Sequence, residues 1–522
     1  MTNGWDAIVV GAGSAGAPLA CRLAATGRRV LLLEAGPDYR SDQMSEAWRS
    51  PNPLRALLAP EAHGSLVWPD LLATRTEKQE AALYWRGRGT GGSSSINGQI
   101  AIRPPMEDFE DWVRRGCAGW SPEDVLPYFC RAEDDEEFGD ASYHGRGGPT
   151  PIHRMPWEDW GSVDTALCTA ALSAGHAWAE DVNAPGARGV SPYPINSRGG
   201  RRVTVNDGYL EPERGSSTLT IRGDALVDRV LISGGRAVGV RYLAGGTLTE
   251  ERADLVVLSA GAVHSPAVLM RSGIGPAVEL RALGIDVVAD LPVGHGLQDH
   301  PLVGVAIPLN EESALRTPDD RHTNVCVRYT SDHPDARPHD MMLVSLNQNV
   351  LSMECADVRF GAGAFGVWVN QTWSRGSVTL TSRDPRVQPE VREAMLSDER
   401  DLARLRAGIR ALVDMARGEE VSAISDGSFE RVNATLFSVL DDDAELDDHL
   451  LATAADAQHA TSTCRMGDPN HAATVVDPQC RVLGVDGLRV ADASIFPSVP
   501  RANTNLTTIM VGELVADRLD RA

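Results

Sequence analysis

Asp6-Ala7-Ile8-Val9-Val10 runs into Gly11-Ala12-Gly13-Ser14-Ala15-Gly16, and the chain continues through Ala17–Thr26 to Val30-Leu31-Leu32-Leu33-Glu34. The apolar run before the glycines predicts a short buried β-strand. The Ala-rich stretch after them predicts a helix to about Thr26, and Val30–Leu33 a second buried strand. Gly11 permits a tight turn off the first strand. Gly13 lets the backbone approach a pyrophosphate, and Gly16 lets helix pack on strand. A helix N-terminus presents unpaired N–H groups to phosphates. Glu34 stands where a carboxylate accepts hydrogen bonds from both adenosine ribose hydroxyls. Glycine loops are common. The flanking strands, the helix and the acid together make this one a dinucleotide site, and the carboxylate disfavours a 2′-phosphorylated ribose.

The chain has 522 residues, 42% of them hydrophobic, enough for more than one core. Its formal net charge of −23 excludes general adhesion to nucleic acid or an anionic membrane surface. The acidic runs Glu133–Glu137 and Asp441–Asp448 read as solvated surface. Eight cysteines, Cys355 among them, form no CxxC pair and no disulfide framework, which fits a reducing compartment. The first strand begins too close to Met1 for a cleavable signal, and no apolar run reaches transmembrane length. The expectation is a cytoplasmic protein without membrane insertion.

Four further blocks carry a family resemblance. Arg86-Gly87-Arg88-Gly89-Thr90-Gly91-Gly92-Ser93-Ser94-Ser95-Ile96-Asn97-Gly98 is the first. Gly261-Ala262-Val263-His264-Ser265-Pro266 through Pro276 is the second, and Leu291 through Gln298-Asp299-His300-Pro301 the third. The fourth runs from His459 to Glu513 and holds Asp492-Ala493 and Arg501-Ala502-Asn503-Thr504-Asn505. In this order the blocks resemble the glucose–methanol–choline (GMC) oxidoreductases over nearly the whole chain.

The resemblance implies an α/β protein, α+β overall. A Rossmann-like FAD-binding domain (1–155, 205–310 and 455–522) is interleaved with a substrate-binding domain (156–204 and 311–454) built on an antiparallel sheet. Apolar–polar alternation over 323–348 and 366–381 is compatible with such strands. Residues 398–417 read as a helix. The cofactor set it implies is Gly11, Gly13, Ser14, Gly16, Glu34, Ala35, Arg88, Gly91, Gly92, Ser93, Asn97, Gly98, Val227, Asp492, Ala493, Asn503 and Thr504. Some relatives bind FAD covalently through a histidine just after the serines. Ile96 stands there in this chain, so non-covalent FAD is expected. The helix from about Thr504 would point its N-terminus at the pyrimidine end of the flavin, where reduction places negative charge.

By motif position His459 is the general base and Asn503 its partner. Together they would hold the oxygen of a small-molecule alcohol, His459 taking the proton as hydride leaves for flavin N5. The implied reaction is oxidation of a primary, aryl- or furfuryl-like alcohol to an aldehyde. The electrons pass to O2 or to another acceptor, such as a peptide-derived redox cofactor or a respiratory one. A non-redox hydroxynitrile lyase on the same scaffold is the alternative from another class. His264 and His300 read as structural, and Arg501 either as a steering charge for the substrate or as a salt-bridge partner. The spacing holds no compact metal-ligand motif, so no metal is expected.

Overall fold

The computed structural model describes residues 4–57, 65–349 and 362–521; Cys355 lies outside them. The strand Trp5–Val10 sits at the middle of a seven-stranded sheet, parallel to Val30–Leu33 on one side and to Thr247–Leu258 on the other. Leu219–Arg222 extends the sheet beyond Val30–Leu33, and Leu488–Val490 pairs in parallel with Thr247–Leu258. Thr247–Leu258 is twice as long as the apolar run at its end suggests. Its first half is largely exposed and pairs antiparallel with Arg236–Ala244; its last residues, Val256, Val257 and Leu258, are buried and pair with Trp5–Val10.

The helix Gly16–Ala25 covers this sheet beside the C-terminal helix Thr504–Asp520. Only a residue without Cβ fits at Gly16, because that atom would stand 1.9 Å from the Gly11 carbonyl oxygen. The glycine loop and the start of the C-terminal helix are tied directly: the Ser14 hydroxyl donates to Asn505 Oδ1 at 2.7 Å.

A second sheet has six strands in the order Ala455–Asp456, Pro301–Pro308, Ala362–Val369, Met341–Leu346, Val325–Tyr329 and Gly189–Pro192, all antiparallel. Side chains alternate between its faces. Val303, Val305, Leu343, Phe365 and Val367 meet the helices Ser162–Ser173 and Glu399–Ala416 in one core. Leu302, Val344, Leu346 and Trp368 form a different apolar cluster with Tyr193. The polar face expected from the sequence is therefore largely apolar, because it lines a cavity instead of facing water.

The sheets do not respect the boundaries expected at 310/311 and 454/455. Pro301–Pro308 and Ala455–Asp456 belong to the antiparallel sheet. Gly376–Thr379 instead joins a third sheet with His295–Leu297, Glu390–Arg392, Leu72–Thr74 and Ala82–Leu83. The chain changes sheets at Gln298-Asp299-His300, which puts that motif on the seam. The acidic run at 133–137 is surface only in part: Glu136 and Glu137 are exposed, as expected. Glu133 and Asp135 are fully buried, on a strand paired with Thr150–Ile152, and meet Arg103, Arg154 and His144. Asp441–Asp448 is mostly exposed, as expected. Among the described residues the seven cysteines are free, and no helix is long and apolar enough to cross a membrane.

Candidate active site

One cavity of about 540 Å³ reaches from the first glycine loop to the antiparallel sheet. At the nucleotide end two glycine loops lie back to back. A Cβ on Gly92 would come within 2.7 Å of Gly13 Cα, and the Gly91 amide donates to the Ala12 carbonyl at 3.0 Å. Three backbone amides, of Ala12, Gly36 and Gly89, donate to the Glu34 carboxylate at 2.9 Å each. They fix its direction and still leave lone pairs for a ligand. Burial pushes the Glu34 carboxyl up; the three amides and then Arg88 pull it back.

Gly11, Gly13, Ser14, Glu34, Ala35, Gly92, Ser93, Asn97, Gly98, Val227, Asp492, Ala493, Asn503 and Thr504 all line this cavity. Gly16, Gly91 and Arg88 do not. The two glycines act behind the wall, through helix packing and the loop hydrogen bond. Arg88 donates to the Ala35 carbonyl at 3.2 Å and lies over the Trp68 ring, at 5.5 Å. Its positive charge lowers the Glu34 carboxyl. Asp492 accepts from the Gly261 amide at 2.8 Å and the Ser265 hydroxyl at 2.6 Å, which closes the loop opposite the first glycines. A Cβ-free cradle, a preset carboxylate and a helix N-terminus on one wall fit FAD.

At the other end the tail of the chain brings His459 and Asn503 together. Asn503 Nδ2 is 3.1 Å from His459 Nε2, and Asn503 Oδ1 is buried without a partner among the described residues. Nδ1 of His459 lies 2.9 Å from Nδ1 of His300. An amide nitrogen only donates, so His459 Nε2 accepts from Asn503 and its Nδ1–H points at His300. This is the tautomer a base needs, with the Nε2 lone pair on the cavity side and held by Asn503. Trp368 stacks over His300 and meets His459 edge-on, with centroids 6.2 and 5.9 Å away. Burial holds the imidazole of His459 well below its usual range, helped by His300 and Arg86. His459 is therefore neutral at rest.

Asp299 fixes the backbone of this pair. Its Oδ1 accepts from the amides of His459 at 2.8 Å and His300 at 2.7 Å, and Oδ2 accepts from the Tyr84 hydroxyl at 3.1 Å. Asp299, Glu393 and Asp456 lie so close that one oxygen from each falls within 4.8 Å of the others. Glu133, Asp135 and His144 form a similar group. Sequence spacing could not reveal the first, since its members come from distant segments; the second lies within residues 133–144. Arginines occupy both: Arg75 Nε stands 2.6 Å from Asp456, and Arg154 Nη1 3.0 Å from Asp135.

Burial, with Asp456 as the nearest like charge, pushes the Asp299 carboxyl up to about 7. Its ionisation as pH rises places negative charge beside His459 and favours the imidazolium that forms as a proton arrives. Flavin reduction by an alcohol should accelerate as pH rises through about 7. That inflection should vanish in Asp299→Asn. A rate that falls with acid at the ordinary histidine value in both proteins would assign the step to another group.

His300 is more than the structural residue expected, since it holds the Nδ1 side of His459. The signal was its place in the Gln298–Pro301 block. Arg501 does not line the cavity. It is buried and paired with Asp108, Nε to Oδ1 at 2.7 Å, and it donates to the Pro338 carbonyl. Steering of the substrate therefore gives way to the salt bridge. His264 lines the cavity and stacks on Trp68 with centroids 4.2 Å apart.

A family model described as GMC oxidoreductase matches residues 5–302, and its C-terminal counterpart matches 372–512. The 5-(hydroxymethyl)furfural oxidase of Methylovorus sp. strain MP688 is 36% identical over 99% of this chain and 98% of its own length. The mitochondrial choline dehydrogenase of Homo sapiens is 34% identical over 98% of this chain and 89% of its own. The crystal structure of pyridoxine 4-oxidase from Mesorbium loti superposes with a TM-score of 0.87 at 29% identity, over 99% of both chains.

Proposed function

The chain belongs to the GMC oxidoreductase family, and on that premise we propose that it oxidises a primary aryl- or furfuryl-type alcohol to the aldehyde, with His459 as the base. The coarser statement, an FAD-dependent enzyme acting on alcohols, follows from membership itself. The single observation that carries the finer reading is the His459–Asn503 contact at the cavity wall, with a neutral imidazole whose Nδ1 side is already held by His300.

FAD, held by the glycine loops, Glu34, Asp492 and the start of Thr504–Asp520, would supply the hydride acceptor. The protein's own groups do the rest. The alcohol oxygen takes the place of the His459–Asn503 hydrogen bond. Its O–H donates to His459 Nε2, and Asn503 Nδ2 donates to the oxygen. An alcohol loses hydride poorly while its proton remains, so the base must act as the carbon is oxidised. Fixing the oxygen between two side chains supplies orientation, and burial excludes water. Tyr193, Leu302, Val344, Leu346 and Trp368 give the cavity an apolar, partly aromatic wall suited to a ring.

We assign the electrons to O2, the reading favoured by the likeness to 5-(hydroxymethyl)furfural oxidase; a dehydrogenase passing them to another acceptor is the alternative. Benzyl and furfuryl alcohol in air should each give one H2O2 per aldehyde. Aldehyde formed only when a dye is added would make the protein a dehydrogenase, and no aldehyde from any primary alcohol would end the reading. FAD is proposed to be non-covalent. Ile96 lines the cavity where covalent relatives carry histidine, and an alkyl side chain forms no bond to flavin. Acid precipitation should leave all the flavin in the supernatant; flavin remaining in the pellet would mean another residue has attached it.

A further inference from the structure

Buried arginines in this protein mostly meet carboxylates. Arg404 pairs with Asp340 and Asp401, Arg154 with Asp135 and Asp181, and Arg501 with Asp108. Arg202 and Arg321 do not. Arg202 is buried, and its Nη1 donates to the carbonyls of Ser94 at 3.2 Å and Asn97 at 2.7 Å and to Asn97 Oδ1 at 2.9 Å. Its Nε and Nη2 have no partner among the described residues. Arg321 is buried, and donates to the carbonyls of Thr323 at 3.2 Å, Pro51 at 3.2 Å and Gly98 at 2.9 Å.

The carboxylates that act on them from a distance are engaged elsewhere. Asp207 is bound to Thr204, and Asp164 to Asn324, Ser345 and Asn347. A buried charge without a countercharge is strongly unfavourable. Arg328 also bonds only carbonyls, but those of Val182 and Arg103, away from the cavity. The partners of Arg202 and Arg321 include Asn97, Gly98 and Thr323, which form the cavity wall.

Two polar side chains on that wall are themselves unsatisfied. Nδ1 of His322 and Oγ1 of Thr323 are buried without a hydrogen-bond partner among the described residues, and both residues line the cavity. The His322 ring abuts Gly98, whose Cβ would stand 3.5 Å from Cε1 and Nε2. By family likeness Gly98 lies against the flavin ring. This stretch of wall thus combines a donor-capable imidazole and a hydroxyl with two cations one layer behind.

We propose that His322 and Thr323 form a subsite for an anionic group on the substrate, with Arg202 and Arg321 as its countercharge, so that the preferred alcohols carry a carboxylate on the ring. This rests on the alcohol-oxidase reading and deepens it. The carboxylate takes no part in the redox step. It accepts from Thr323 Oγ1 and the imidazole and compensates the field of the arginines. Burial and the same two arginines keep His322 neutral, so its ring has a single N–H to give.

The test uses the FAD-loaded protein. Benzoate and benzamide, titrated separately, are followed by perturbation of the flavin spectrum. Benzoate should bind about 10- to 100-fold more tightly, the increment of a charge-assisted hydrogen bond in a buried site. 3- or 4-(hydroxymethyl)benzoate should exceed benzyl alcohol in kcat/KM by about the same factor. Thr323→Val should lower the carboxylate-to-neutral ratio of kcat/KM, and Arg321→Met should lower it further. Should Arg321→Met fail to fold, Thr323→Val and the wild-type comparison still decide. Benzoate binding no tighter than benzamide, or a ratio unmoved in Thr323→Val, would overturn the proposal. Tight benzoate binding with no bleaching by either alcohol would leave the subsite standing and refute the alcohol reading.

Discussion

His459→Ala should slow anaerobic reduction of the flavin by an alcohol about 10²–10⁴-fold while the protein remains yellow. The two halves of that outcome come from different parts of the structure. The FAD cradle is built from the loops at 11–16 and 89–93, Glu34 and Asp492. None of these depends on the imidazole. The rate depends on it because Nε2 is the neutral acceptor set facing the cavity beside Asn503. Asn503→Ala removes a donor to the substrate oxygen but leaves the base, so its loss should be smaller. Stopped-flow traces at saturating alcohol separate the two. A His459→Ala protein that reduces at the wild-type rate would remove the base from the account.

Glu34→Ala should give a colourless protein of lowered thermal stability. Three amides converge on this carboxylate, at 2.9 Å each, and the substitution leaves all three without an acceptor. A buried donor left unsatisfied costs about 1–3 kcal/mol. Three of them, even short of additivity, take a large share of a marginal stability of about 5–15 kcal/mol. The same change removes the proposed ribose acceptor, so the stabilisation that bound FAD would lend the fold should be lost with it. Glu34→Gln keeps an acceptor oxygen and should retain part of the flavin. The flavin-to-protein absorbance ratio of the purified variants reads this directly. An alanine variant as yellow as the wild type would mean that Glu34 is not at the ribose.

Much of this was legible in the chain. The β–α–β unit at 5–33 is written in local pattern, because strand burial, a glycine turn and a helix start need only neighbours in sequence. His459 and Asn503 were found by motif order and meet as that order implies. What the sequence hid depends on contacts between distant segments. Glu133 and Asp135 read as solvated charge because Arg103 and Arg154 are far along the chain. The second face of the antiparallel sheet read as polar because nothing local says that it borders a cavity. Arg88 is expected at the ligand from its motif; its side chain is not among the cavity-lining ones but donates to Ala35 and lies over Trp68, which both are. Arg202, Arg321 and His322 sit in no block that drew notice. Their meaning lies in the fact that, among the described residues, no carboxylate pairs with the two arginines, which only three-dimensional placement reveals.

The most direct measurement of the central claim is the primary isotope effect on flavin reduction. The FAD-loaded protein is mixed anaerobically with benzyl alcohol or its α,α-dideuterated form, and loss of the oxidised flavin band is followed. The account predicts complete bleaching, slowed severalfold by deuterium, with aldehyde formed in step with it. A band that stays unchanged, or bleaching indifferent to deuterium at the carbinol carbon even in His459→Ala, would contradict it.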